Sequence, residues 1–201
     1  QMAHEESSLL LESLLDLSSD NQSAGISILQ IRLNQQASTA EFAQPNCVAQ
    51  LNRELNAVFS AAAAESGLIH HVFGQTVAVL FGLLPSSSNS ARLAIQSASR
   101  FVAECPRPQS ASNQELAPGL VITTGTLDFS IRPVKNRKIF HLLGQTIVRT
   151  EEMLRLSQPG VLLIDQNTFQ LSGDARLRFS SWSPHGPTAS TQLYVQPLNG
   201  L

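Results

Sequence analysis

The chain has 201 residues, 42% of them hydrophobic, and a formal net charge of -2, enough for one ordinary globular domain with a sizeable core. Charged residues make up only 14%, which excludes a strongly basic surface, so no nucleic-acid partner is expected. The sequence shows neither a membrane-spanning apolar run nor a signal peptide.

The first predicted element is an amphipathic helix. Leu9, Leu10, Leu11, Leu14, Leu15 and Leu17 recur at helical spacing behind Glu5 and Glu6. It reads as a connector over residues 1–19, leading into a domain over 24–201. The start, Gln1-Met2, suggests an excised fragment. An upstream sensor or membrane segment is therefore expected, with the domain itself cytoplasmic and tethered through that segment. Gly25 to Leu33 (G-I-S-I-L-Q-I-R-L) is β-rich and close to alternating, so it predicts a strand. A long helix follows from Pro45 to Ser66, with Leu51, Leu55, Val58 and Phe59 as its stripe and Gly67 as its stop. Leu68 to Phe81 predicts a hairpin turning at Gly74. Ser86 to Asn89 caps another helix through Ala91, Ala94, Ala98, Phe101 and Val102. Pro106 to Glu115 is a polar loop. Gly119 to Thr124 predicts a strand, Gly125 a turn, and Val134 to Leu142 a second strand. A helix over Gln145 to Leu156, a stop at Pro159-Gly160 and a buried strand from Val161 to Ile164 complete the core. A short helix from Asp165 to Phe169 and late strands at Arg176 to Ser180 and Gln192 to Val195 end the chain, the latter two separated by a Pro/Gly/Ser loop over Trp182 to Ser190.

This order makes a mainly antiparallel sheet with helices on one face, an α+β sandwich of the ferredoxin-like, palm type. Several residue groups have two readings. Lys135, Arg137 and Lys138 form a solvated hairpin or a phosphate site. Cys47 and Cys105 lie in no metal spacing and read as free thiols of a reducing compartment, with a disulfide as the alternative. His70 and His71 alternate along a strand, so they are expected on opposite faces. His71 and His141 could converge, but two imidazoles without a third ligand make a poor zinc site. Glu151 and Glu152 are adjacent on a helix and read as a solvated face. No phosphate loop and no nucleophile elbow is present. No cofactor is expected.

Two stretches carry a resemblance. Residues 67–82 read G-L-I-H-H-V-F-G-Q-T-V-A-V-L-F-G, and residues 143–164 read L-G-Q-T-I-V-R-T-E-E-M-L-R-L-S-Q-P-G-V-L-L-I. Together with Ile122 to Gly125, they resemble the catalytic domain of class III adenylyl and guanylyl cyclases over roughly 25–170. The resemblance implies that fold, and a site shared between two chains. It also implies two metal-binding Asp residues, one at the end of the first strand and one in the hairpin turn. The turn position here is Gln75. The first-strand position falls within Gln30 to Arg32, and no Asp or Glu occurs between Asp20 and Glu41. Hard divalent cations need anionic oxygens, so both metal ligands are missing. The base-reading Lys slot is His71, and its Asp or Thr partner slot is His141. Val148 replaces the ribose-orienting Asn, and Glu152 replaces the phosphate-clamping Arg with the opposite charge. Gln145 opens the same helix and completes the former nucleotide pocket. The resemblance thus implies a catalytically inactive domain acting as a signalling or dimerisation module, with a homodimer as the expected assembly. Two alternatives stay open: a sensor that holds another small molecule in the old pocket, and a cyclase with displaced catalytic residues.

Overall fold

The computed structural model describes residues 22–33, 45–83, 89–105, 117–134, 137–173, 179–182 and 193–198. The predicted helix over Leu9 to Leu17, the loops over 106–115 and 183–190, and the Cys47 side chain lie outside them. Strand β1 (Gln22–Arg32) is followed by helix α1 (Pro45–Ala64) and the hairpin β2 (Leu68–Phe73) and β3 (Thr76–Phe81). Helix α2 (Ser90–Glu104) leads to the long hairpin β4 (Gly119–Val134) and β5 (Arg137–Leu143). Then come α3 (Gln145–Leu156), β6 (Val161–Asp165), α4 (Gln166–Ser172), β7 (Ser180–Trp182) and β8 (Leu193–Pro197). The sheet order is β2-β3-β1-β4-β6-β8-β7, with β5 on β4 alone. Among the described strands, only the β4–β6 pair is parallel. The expected α+β class holds.

β1 is buried on both faces. Leu29, Ile31 and Leu33 join Val79, Phe81, Ile122 and Ile164 under α1 and α2. Ile26 and Ile28 turn the other way, onto Leu80 and Leu127. The alternation that predicted a strand here therefore serves two cores at once. The helices divide between the same two faces. Helix α2 presents Ala91, Ala94, Ile95, Ala98, Phe101 and Val102 to the first core. It starts at Asn89, whose side chain accepts from the Arg92 N–H at 3.0 Å, a cap worth about 1 kcal/mol. Helix α3 packs on the opposite face, through Ile147 on one cluster and through Met153 and Leu154 on another. Placing all helices on one face is thus corrected for α3 alone. Beneath α3, Thr123 and Thr150 also meet hydroxyl to hydroxyl.

Gly125 is also corrected. It reads as a turn, but β4 runs straight through it and pairs it with Ile26. Its missing side chain serves α3 instead. A Cβ there would meet the Thr146 side chain, so glycine at position 125 leaves room for the first turn of α3 to approach the strand. Gly74 does turn, at φ +56°.

A chain of hydroxyls ties the sheet to α2 and α4. Ser27 Oγ lies 3.0 Å from Ser90 Oγ and 2.7 Å from Thr124 Oγ1. Thr124 meets Thr168 at 2.8 Å, and Thr168 donates to Asp165 Oδ1 at 2.6 Å. Asp165 also caps α4 by accepting from the Thr168 N–H at 2.9 Å. Its second oxygen accepts from Arg149 of α3 at 3.3 Å. Cys105 is a free thiol, and burial first, then Glu54, push its pKa up to about 12.

Candidate functional site

Of the predicted site residues, Arg32 and Gln75 meet at one end of β1, Gln30 and His71 line a hollow beside it, and His141, Gln145, Val148 and Glu152 join neither group. At the end of β1, Arg32 pairs with Thr76 of β3, and the Leu33 N–H donates to the Gln75 carbonyl at 2.8 Å. Of the candidate positions Gln30 to Arg32, the one beside the hairpin turn is therefore Arg32. Its guanidinium donates to the Leu154 carbonyl in the last turn of α3, where unsatisfied carbonyls favour a cation. Burial lowers the Arg32 pKa, yet a guanidinium keeps its charge near neutral pH. The donor set here is a cation and a neutral amide. It does not suit the two divalent ions that the fold family implies, because they need anionic oxygens and would be repelled by Arg32. Among the described residues, no group of three or more His, Cys, Asp or Glu could hold a metal ion.

The second group surrounds a hollow of about 40 Å³ between β1, β2 and α3. Ile28, Ala78, Leu80, Leu142 and Ile147 form its apolar walls; Gln30, His70, His71, Thr150 and Glu151 supply its polar edge. By itself it is far smaller than the roughly 300 Å³ that a drug-sized ligand requires. Gln30 is 2% exposed. Its Nε2 donates to Glu151 Oε1 at 3.0 Å, while its Oε1 has no hydrogen-bond partner.

Three sequence expectations change here. His70 and His71 both line the hollow, with ring centroids 5.1 Å apart in an edge-on arrangement. Strict alternation would separate them, but the β2–β3 register slips between Ile69 and His71, and such a bulge re-aims a side chain. His141 does not converge with His71. It is exposed, and its strand neighbour Leu142 lines the hollow instead, so alternation turns His141 away. Glu151 is no merely solvated carboxylate, since it holds the buried Gln30 amide. A Gln inside the apolar run I-L-Q-I was the available signal, because a buried amide needs a partner. Val148 is 52% exposed. Gln145 and Glu152 are exposed too, on the outer side of α3 and apart from the hollow.

Partial desolvation first, and His71 second, hold the His70 pKa below 6.5. The folded state thus resists a proton that the unfolded chain accepts. Stability should fall as pH drops below 6.5, the ordinary histidine value. In urea unfolding over a pH series, His70→Gln should flatten part of that slope; an unchanged slope would assign it to other groups.

Comparison with solved structures places the fold. The guanylyl cyclase Cya2 matches with a TM-score of 0.70 at 21% identity, over 89% of this chain and 93% of that one. The adenylyl cyclase CyaB from P. aeruginosa matches with a TM-score of 0.69 at 18% identity, over 88% and 95%. A non-canonical dimeric guanylyl cyclase domain of the RhoGC fusion protein from the aquatic fungus Blastocladiella emersonii matches with a TM-score of 0.69 at 12% identity, over 88% and 97%. No family model and no curated protein matches the sequence. The chain has the fold of a class III nucleotide cyclase catalytic domain.

Proposed function

We propose that this domain is a catalytically inactive cyclase homologue that works by pairing, as a signalling or assembly module. The observation that carries the reading is Arg32 at the end of β1, hydrogen-bonded to α3 and paired with the strand that leaves the Gln75 turn. A cation and an amide occupy the positions where the resemblance calls for two carboxylates. Glu152 on α3 adds negative charge where the resemblance calls for an Arg, and a carboxylate repels a triphosphate. Losing metal ligands, base reading and phosphate clamp together leaves pairing as the property a cyclase fold retains.

Exposed apolar side chains support pairing. Phe73 at the hairpin tip is 83% exposed and Leu143 at the end of β5 is 65% exposed. Val72 and Val148 are about half exposed. These residues lie on the hairpin, β5 and α3 and are the apolar side chains that a pairing face on these elements would cover. The cyclase domain from Blastocladiella emersonii is described as dimeric in one structure and as monomeric in another, so the fold admits pairing without requiring it. The partner favoured here is a second copy, in a two-fold contact. An upstream sensor or membrane segment would then use the pair as its output.

Sedimentation over a concentration series tests the pairing. The parent chain should dimerise, and Phe73→Glu should weaken the dimer by about tenfold or more, as expected when a charge replaces a buried aromatic anchor. A strict monomer at high concentration would overturn this reading.

A further inference from the structure

The open edges of the sheet are not alike. At one end of the strand order lies β7, only three residues long. β5, which pairs with β4 alone, begins with Arg137 and Lys138. Shortness and cations are common guards of an exposed edge. β2 lies at the other end, with β3 on one side and no strand on the other among the described residues. Its sequence L-I-H-H-V-F contains no Lys, Arg, Asp, Glu or Pro. His70, Val72 and Phe73 are exposed, so solvent reaches this strand.

The residue order of β2 is symmetric about its centre: two apolar residues, two histidines, two apolar residues. An antiparallel strand of the same order is therefore its complement. Paired about a two-fold axis, Leu68 faces Phe73 of the partner subunit, and Ile69 faces Val72 of the partner subunit. His70 faces His71 of the partner subunit. No apolar side chain is set opposite an imidazole. The register slip between Ile69 and His71 falls at the same centre. The extra residue of one copy thus meets the same extra residue of the other, and the flanking pairs stay in step. A regular strand from another protein lacks both features, which singles out a second copy as the occupant.

The histidines at the axis make such a pair sensitive to acid. Their rings already stand 5.1 Å apart within one chain, and two copies bring four imidazoles together. Like charges facing each other across strands destabilise the pairing. Around the rings, β1 and β3 offer Ile28, Gln30, Ala78 and Leu80, and β5 offers Leu142, none of them charged. α3 offers Glu151, whose Oε1 already accepts from Gln30. α1 packs with Ile69 in the other core cluster; its Glu54 lies beside Cys105, and its Glu65 pairs with Arg100. One carboxylate per copy thus stands against two imidazoles. Partial desolvation first, and His71 second, hold His70 below the ordinary histidine value, so it carries no charge at neutral pH.

We propose that β2 joins β2 of a second copy edge to edge, continuing one sheet through both subunits, and that protonation of the facing histidines opens this contact. The inference rests on the pairing put forward above and gives that pairing its place and its regulation. A six-residue edge buries less than the roughly 1,600 Å² of a standard interface, so the pair is reversible.

The test is sedimentation over a concentration series at about pH 7.5 and about pH 5.5, on either side of the histidine range. Amide hydrogen exchange at low and high protein concentration is followed alongside. At the higher pH the chain should dimerise, and exchange at Ile69 and Val72 should slow as concentration rises. The dissociation constant should increase about tenfold or more at the lower pH, because the dimer binds fewer protons than its separate copies. His70→Lys, at an exposed position that tolerates the change, should be monomeric at both pH values. The double variant His70→Gln, His71→Gln should associate equally at both. A dimer whose exchange over 68–73 does not respond to concentration would overturn this inference and leave the pairing itself standing. So would a parent dimer equally tight at both pH values, or His70→Lys pairing as well as the parent. A strict monomer at both pH values would overturn the pairing and this inference together.

Discussion

Incubated with ATP or GTP and manganese, the purified protein should release no cyclic nucleotide above a protein-free control. Enzymes supply about a million-fold or more over the uncatalysed reaction, and on the reading proposed above each residue that the resemblance assigns to that chemistry is replaced. The β1 end carries Arg32, bonded to α3. The turn carries Gln75, whose carbonyl holds the Leu33 N–H. His71 lines a hollow with apolar walls, and His141 faces away from it. Gln75→Asp should therefore stay silent, and so should Gln75→Asp combined with Arg32→Asp. Groups that act as a unit are not recovered singly. Restoring anionic oxygens leaves Val148 and Glu152 on α3 unable to orient a ribose or clamp a phosphate. Turnover in the parent chain that disappears on mutation at Arg32 or Gln75 would overturn the inactive reading.

Asp165→Ala should remove roughly 2–4 kcal/mol of stability, the cost of the α4 cap and of buried Thr168 donors left without their acceptor. Asp165 is 0% exposed. It accepts from the Thr168 N–H and hydroxyl and from Arg149. Without it, Thr168 loses its acceptor at the end of the hydroxyl chain from Ser27, and α4 loses its cap. Domains of this size hold only about 5–15 kcal/mol, so the loss is a large share. Arg149→Met separates the ion pair from the network. The Arg149 side chain is 43% exposed, so water compensates for it, and the cost should be about 1 kcal/mol or less. Urea midpoints at constant slope report both. Equal losses in the two variants would mean that the ion pair, not the hydroxyl network, holds these elements together.

The regular elements were legible because their signals are local. The 3.6-residue spacing of Ala91, Ala94, Ala98 and Phe101 marks α2 as written. The Pro159-Gly160 stop separates α3 from β6. The alternation from Ile26 to Leu33 marks β1, although it does not say that both faces are covered. What the sequence left hidden depends on contacts between distant elements. Gly125 has the composition of a turn, and only the approach of Thr146, 21 residues on in the chain, shows why it is glycine. Nothing local announces the register slip between Ile69 and His71 that brings two adjacent histidines to one hollow. Glu151 resembles any solvated helical acid until β1 places Gln30 beneath it, 121 residues away. Register places Arg32 beside the turn, which the sequence of the strand alone does not show.

Isothermal titration of the protein with a non-hydrolysable ATP or GTP analogue, with and without manganese, tests the proposed loss of cyclase chemistry most directly. With Arg32 and Gln75 in place of metal-binding acids, manganese should add nothing to whatever heat the nucleotide alone produces. Saturable binding that appears only when manganese is present would contradict it.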